Sequence, residues 1–561
     1  MASLRFDIII VVGIAVLATI SYVPIIDNGF VTWDTNDYVL QNPNIKEISL
    51  VSLRWMLTAF YISNWHPITW LSHAIDYHFY ALNPIGHHIT NLVFHIINSL
   101  LLYFIVKRFL AFIVADKKYN ILTAGLCALL FSVHPQHVES VAWLAQRKDL
   151  LCALFSLLSI LFYFYYVSSK NNKKYYYALC VTFAFALMSK PMAVTLPVIL
   201  LILDVYPLGR TRFYHNNNIF LKIKTLPKLV LEKWALFLMS SVVMVIAFSA
   251  QYQGGSVTSL HQVDISIRLL NATQSIFLYL SKWVLPIKLI PFYQYPNYVN
   301  IQSLFLLLLP VFGFCAVCFI SIVLWRRNQH FWLIAWLYFV VSLLPVIGIV
   351  QIGSQAAADR YTYLPMIPFY IVLAAGVVKL ITSTNNYRTV RIGGAALLVV
   401  IISLLIMLTR QQTFIWNNDY IFWRYTAMHA PTSGIVRANY GATLLRMEHY
   451  EDAIQELEVA VTVRRSAAAA KWLGDAYYEV GNLVAAESRY RSSLKLSMDQ
   501  NYISRSEVLM KIARINYTLG KLNEAYSWGR EALRYDDMNA EAAKLLQDIS
   551  KRKLGSRRSE N

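Results

Sequence analysis

The sequence predicts an all-α protein in two parts, a polytopic membrane domain over residues 1–410 and a helical-repeat solenoid over residues 411–561. Three observations lead there. Hydrophobic residues make up 57% of the 561 positions, and the mean hydropathy of +0.46 is too high for an ordinary soluble domain. Long apolar runs alternate with short basic loops as far as Arg410. Beyond Ile435 the chain turns polar, with small residues at fixed offsets.

The apolar runs fall at about 7–26, 88–106, 121–134, 150–168, 175–189, 191–206, 234–250, 303–325, 331–350, 361–381 and 391–409, giving about 11 spans. The N-terminal run looks like a signal peptide, but no small-residue cleavage site precedes Asp27, so a retained first helix is expected. With Arg5 inside, the basic clusters at Lys107–Lys118, Lys170–Lys174, Arg210–Lys233, Arg326–Arg327 and Lys379–Arg391 all fall on the inner side. Topology therefore accounts for the formal charge of +19, and no nucleic-acid module is indicated. The segment 265–285 carries Arg268, Asn271, Gln274 and Lys282 and is read as interfacial or re-entrant. The odd span count then places the 27–87 loop and residues 411–561 together on the outer side. Cys127, Cys152, Cys180, Cys315 and Cys318 sit in apolar segments without zinc spacing or a disulfide framework and read as packing residues.

In the solenoid, Gly441, Ala453 and Ala460 are followed by Gly474, Ala486 and Tyr490, and then by Ala513, Ala525 and Ala532. A step of 12, followed by 7 in the first and third sets, is the pattern of tetratricopeptide (TPR) helix pairs, where small residues let helices approach closely. About three repeats are expected, with an insertion near Met498–Ser504, a partial repeat at Trp416–Pro431 and a solvating helix at Ala540–Lys551. Such an array binds extended polypeptide on its concave face or serves as a passive dimerisation module.

Candidate chemistry lies at the outer ends of the spans. In Phe30-Val-Thr-Trp-Asp34-Thr-Asn-Asp37-Tyr38, two carboxylates follow the first helix directly. At the bilayer surface an Asp can act as general base on an acceptor hydroxyl. The alternative is that Asp34 and Asp37 cap a short helix. His134, His137 and Glu139 suggest a metal, but Pro135 interrupts the helix and no zinc motif is matched. A hydrogen-bonding surface, with Arg147 and Lys148 facing a phosphate, is preferred. Lys190 stands at the outer boundary, facing phosphate or snorkelling. Arg360 offers a planar fork for phosphate beside Asp359 and Tyr361, or the Asp-Arg pair closes a helix turn. His66, His87 and His88 read as framework close to the membrane, among aromatics open to sugar binding.

Together these strings resemble a known family. Trp33-Asp34 with Asp37-Tyr38-Val39, Trp65-His66-Pro67, Asn83-Pro84-Ile85-Gly86-His87-His88, His134 to Trp143 with Arg147-Lys148-Asp149, Ser189-Lys190-Pro191-Met192, Asp204 to Arg210 and Ala358-Asp359-Arg360-Tyr361-Thr362-Tyr363, followed by TPRs, look like the bacterial relatives of the transmembrane-and-TPR-containing O-mannosyltransferases. The resemblance implies a GT-C glycosyltransferase fold, a polyprenyl- or dolichyl-phosphate sugar donor and an outward-facing site. The family's acidic motif falls on Asp34 and its neighbour, which here is Thr35, so Asp34 acts either alone or with Asp37. Phosphate contacts would fall on Arg360, and on Arg147, Lys148 or Lys190.

The expected activity is transfer of a mannose-like sugar to Ser or Thr hydroxyls of a protein, without metal or cofactor other than the lipid-linked donor. A glycolipid or glycan acceptor is one alternative, and a non-catalytic TPR scaffold the other. The expected location is a bacterial inner membrane with the TPRs in the periplasm, or an ER membrane with lumenal TPRs. Sugar, acceptor and oligomeric state are not encoded legibly.

Overall fold

A computed structural model describes residues 2–211, 219–257, 263–295, 301–350, 353–383, 388–496 and 505–559. The backbone falls into two compact units, Met1–Asn418 and Asp419–Asn561. Both are helical. A short antiparallel ladder joins Tyr293–Gln294 to Gln355–Ala357.

In hydrocarbon a backbone group has no water to bond, so an apolar run satisfies its own N–H and C=O groups as a helix. The first unit follows that rule through α1 (Ala2–Tyr22), α2 (Leu50–Thr58), α3 (Pro67–Tyr80), α4 (Pro84–Ala111), α5 (Lys117–Ser132) and α6 (Arg147–Ser168). It continues with α7 (Lys173–Ser189), α8 (Leu196–Val205), α9 (Ile219–Glu232), α10 (Trp234–Gln253), α11 (Ile265–Val284), α12 (Ile301–Arg326), α13 (His330–Leu343), α14 (Ile367–Ser383) and α15 (Arg388–Phe414).

The departure from regular helix between α5 and α6 builds the site. Pro135 breaks the path, and the chain turns by 55° into Pro135–Ala142. Carbonyls near the break are recovered by side chains from elsewhere. His95 bonds Ser132 O at 3.0 Å, Asn91 donates to Val141 O at 3.0 Å, Asn98 donates to Leu150 O at 3.0 Å, and Thr409 donates to Val133 O at 2.7 Å. Asn91, His95 and Asn98 share one face of α4 at helical spacing, so a polar stripe in an otherwise apolar span supports the broken segment.

Six helical segments among the described residues are long and apolar enough to cross a membrane, or seven if the bent pair is one span. Pro191–Val205, His330–Leu343 and Ile367–Thr382 are apolar but shorter, and α7 has 17 residues. The expectation of about 11 spans counts these shorter pieces as full crossings. Composition cannot reveal that 3-10 turns at Pro191–Thr195 and Asp359–Thr362 shorten the helices that follow. The α11 helix is not among the six. Its buried face carries Arg268, Asn271, Ser275 and Tyr279, and Asn271 donates to Ala356 O at 2.9 Å.

In the second unit, α16 (Asp419–His429) precedes the helix pairs α17 (Gly434–Arg446) with α18 (Tyr450–Val463), α19 (Ala467–Glu479) with α20 (Leu483–Leu496), and α21 (Arg505–Thr518) with α22 (Leu522–Tyr535). Helix α23 (Ala540–Ser559) follows. Small residues sit where helices meet. A Cβ on Gly441 would lie 2.5 Å from Leu457 Cγ, and one on Gly474 would lie 2.7 Å from the Tyr490 ring. Ala453, Ala460, Ala486, Ala513, Ala525 and Ala532 are buried. Met498–Ser504, where an insertion is expected, lies outside the described residues.

Candidate active site

The loop after α1 is anchored by residues that point inward: Val31, Thr35, Tyr38 and Val39 are buried. That leaves Asp34 half-buried and Asp37 exposed. Asp34 has φ of 55°, a left-handed conformation that Asp and Asn adopt more readily than most residues but still at a cost. Partial desolvation and the charge of Asp34 raise the Asp37 carboxyl above its ordinary value. Neither side chain caps the Thr32–Thr35 turn or the Asn36–Leu40 turn, whose N-cap residues are Val31 and Thr35.

Next to this loop stands the N-terminus of α6. Lys148 Nζ donates to Tyr38 Oη at 3.1 Å and lies 4.6 Å from the centre of that ring. Burial, then the charges of Asp34, Asp149 and Asp37, hold the Tyr38 phenol well above its usual value, so three carboxylates converge on one phenol. Asp34 also acts electrostatically on Lys148. Lys190, which ends α7, is ion-paired with Asp149, and its ammonium lies 5.4 Å from the Tyr361 ring centre. Arg360 approaches the same ring at 4.9 Å and Trp143 at 5.3 Å. Its guanidinium pairs with Glu139 Oε1, while its backbone N–H donates to Glu139 Oε2 at 2.9 Å. Trp143 donates to Trp33 O at 2.9 Å and stacks on that indole at 4.9 Å.

The cations differ in what holds them. Arg147 is fully buried and spent internally: it pairs with Asp76, donates to Asn91 Oδ1 at 2.8 Å and donates to His87 O at 2.8 Å. This corrects the expectation that Arg147 faces a phosphate. Its partners come from α3 and α4, and the side chain fastens those helices to α6. Lys190 and Arg360 have carboxylate partners. Lys148 is only 7% exposed, yet its ammonium has no carboxylate within 4.0 Å among the described residues. Burying an unpaired ammonium is costly. Such a cation is suited to an anionic ligand.

Four of the five candidate histidines are struts. His134 bonds Trp283 O at 3.0 Å, His137 bonds Tyr370 Oη at 3.1 Å, His87 bonds Ala81 O at 2.9 Å, and His88 bonds Gly29 O at 3.3 Å. His66 belongs to the charged cluster instead. Burial, then Lys148 and Lys190, press its imidazole well below the ordinary value and keep it neutral. Asp359 accepts from Tyr293 Oη at 2.9 Å; burial and the Glu139 charge push its carboxyl up to about 8. The ladder carrying Tyr293 thus fixes the turn that carries Arg360. Among the described residues no group of three or more His, Cys, Asp or Glu side chains is arranged to hold a metal ion.

The arrangement combines an acidic loop, a buried unpaired ammonium and two ring-stacked cations at the ends of apolar helices. The chain is similar to curated proteins named protein O-mannosyl-transferases. It is 27% identical over 207 residues to the Drosophila melanogaster protein O-mannosyl-transferase Tmtc1, covering 35% of this chain and 23% of that protein. It is 36% identical over 104 residues to human TMTC4, covering 18% of this chain and 14% of that protein. For human TMTC3 the identity is 32% over 98 residues, 18% of this chain and 10% of the relative. The matched stretches therefore span less than a quarter of the length of each of these relatives. No family model matches it.

Geometry unites residues that the sequence scatters. Asp34, Asp37, His66, Glu139, Lys148, Lys190, Asp359, Arg360 and Tyr361 lie in one electrostatic neighbourhood, while Arg147, His87, His88, His134 and His137 support it from behind. Sequence reasoning left Tyr38, Asp76, Trp143, Asp149 and Tyr293 without roles. A local signal existed for Asp149 alone, as an acid in the first turn of a helix headed by two cations.

Proposed function

We propose that this protein is a membrane glycosyltransferase that moves a mannose-like sugar from a polyprenyl-phosphate carrier to Ser or Thr hydroxyls of a protein. The single observation that carries the reading is Lys148, a buried ammonium without a carboxylate partner among the described residues, within electrostatic reach of Asp34. Asp34 takes the proton of the acceptor hydroxyl as that oxygen attacks the anomeric carbon. The bond from the anomeric carbon to the phosphate oxygen breaks, and the lipid phosphate leaves with its charge held by Lys148, supported by Lys190 and Arg360. One displacement inverts the anomeric centre. Asp37, raised by partial desolvation and then by the Asp34 charge, is the reserve base.

The names of the relatives favour a protein acceptor over a glycolipid. We read the first unit as GT-C-like and the second as a TPR array presenting the acceptor from the same side of the membrane as Asp34. The test is sugar transfer by the full-length protein in lipid nanodiscs, with mannosyl phosphoryl dolichol or mannosyl phosphoryl undecaprenol and Ser/Thr peptides. Asp34→Asn is expected to abolish transfer at unchanged protein yield. Full activity of Asp34→Asn with loss in Asp37→Asn would move the base to Asp37, and full activity of both would remove the mechanism.

A further inference from the structure

The stretch that leads into the second unit, residues 409–418, is fastened to the stretch that leads into the acidic loop. Arg410 donates to Ile20 O at 2.6 Å, and Asn28 donates to Thr413 O at 3.1 Å. Asn417 accepts at its carbonyl from Gly29 N at 2.8 Å, and its side chain donates to Asp27 O at 3.0 Å and to Asn28 Oδ1 at 3.2 Å. These bonds join residues almost 400 positions apart in sequence.

An aromatic column runs beside them. Trp416, buried, stacks on Trp143 at 5.5 Å with an interplanar angle of 23°. Trp143 stacks on Trp33 at 4.9 Å and 27° and donates to the Trp33 carbonyl. The next residue is Asp34, held at positive φ. A strained backbone persists only where its surroundings over-determine it. Here the surroundings include the Trp33 carbonyl bond and the indole column on one side, and the Asn417 bonds to Asp27, Asn28 and Gly29 on the other.

We infer that residues 409–418 form a positioning strap, through which Trp416 and Asn417 fix the backbone of the acidic loop and hold Asp34 at the angle its chemistry needs. The inference rests on the reading of Asp34 as the general base. Trp416 and Asn417 are positioning residues: they act through Trp143, Trp33 and Gly29. The chain passes from this strap directly into Asp419, where the second unit begins.

Two measurements on full-length protein in nanodiscs test the strap. The first is amide hydrogen exchange in Trp416→Ala, Trp416→Phe and Asn417→Ala. Peptides covering 29–37 should exchange at least tenfold faster in the two alanine variants, with Trp416→Phe close to the parent and peptides from α4 unchanged in all three. Unchanged exchange at 29–37 in both alanine variants overturns the inference, and so does faster exchange spread equally over α4. The second is sugar transfer from mannosyl phosphoryl dolichol. The alanine variants should lose kcat about tenfold with the donor KM within twofold, and Trp416→Phe should recover most of it. A loss residing in KM instead of kcat also overturns the strap. Activity retained in both Asp34→Asn and Asp37→Asn defeats the proposed mechanism instead, while the exchange result still decides whether the strap orders the loop.

Discussion

At the scale of single residues, what separates the cations is the company each keeps. Among the described residues Lys148 has no carboxylate partner, whereas Arg147 is enclosed by Asp76, Asn91 and the His87 carbonyl. Lys148→Met should therefore weaken apparent donor affinity about tenfold to a hundredfold, the worth of one charge-assisted hydrogen bond. Arg147→Met should instead lower the yield of folded protein, because it strands a buried carboxylate. Donor titration and size-exclusion yield separate the two. Asp359 gives a prediction in pH. Its folded carboxyl binds a proton up to about 8 against an ordinary value of 3.8, so between those values the folded state holds more protons than the unfolded state. Stability then falls as pH rises through that window. Thermal unfolding of Asp359→Asn should show a shallower decline from pH 4 to pH 8 than the parent. An identical slope would mean that Asp359 ionises normally.

At the scale of elements, packing in the second unit depends on missing side chains. A Cβ on Gly474 would stand 2.7 Å from Tyr490, whose hydroxyl donates to Asp475 at 2.7 Å. Gly474→Val should cost that unit about 1–3 kcal/mol through overpacking and lower its melting temperature, whereas Gly481→Asn, at an open turn with φ of 80°, should cost little. Differential scanning calorimetry reads both. The same positions explain what was legible. Helical repeats announce themselves because Gly441, Ala453, Gly474, Ala486, Ala513 and Ala525 recur at a fixed step, and membrane spans do so because hydrocarbon admits few alternatives. The site was legible as residue types and not as partnerships. Lys148 and Tyr38 are 110 positions apart, and Arg360 and Glu139 are 221 apart. No local pattern says that Arg147 is spent and Lys148, its neighbour, is not. Helix ends were blurred for a related reason: hydropathy does not distinguish a 3-10 turn at Pro191–Thr195 from the helix it precedes.

At the scale of the whole molecule, the expectation drawn from the basic loops and a non-spanning 265–285 is that residues 411–561 lie on the same side as Asp34. A reporter active only outside the cytoplasm, fused after Asn561, should be active, and one inserted near Lys228 should be silent. A cytoplasmic signal at the C-terminus would mean that α11 crosses, and it would favour a scaffold over an enzyme that receives its acceptor from the second unit. The distance along the chain between the halves of the site has a further consequence, for biogenesis. Roughly 300 residues separate the acidic loop from Arg360, which at about 5–20 residues per second is about 15–60 s of synthesis. Within that interval Glu139 waits 221 residues for its guanidinium, and Tyr293 waits 66 for its carboxyl partner. A nascent chain stopped short of Arg360 is therefore not a smaller version of the protein. It is a set of inserted helices with the Glu139 charge still unanswered, a substrate for membrane quality control until Arg360 arrives.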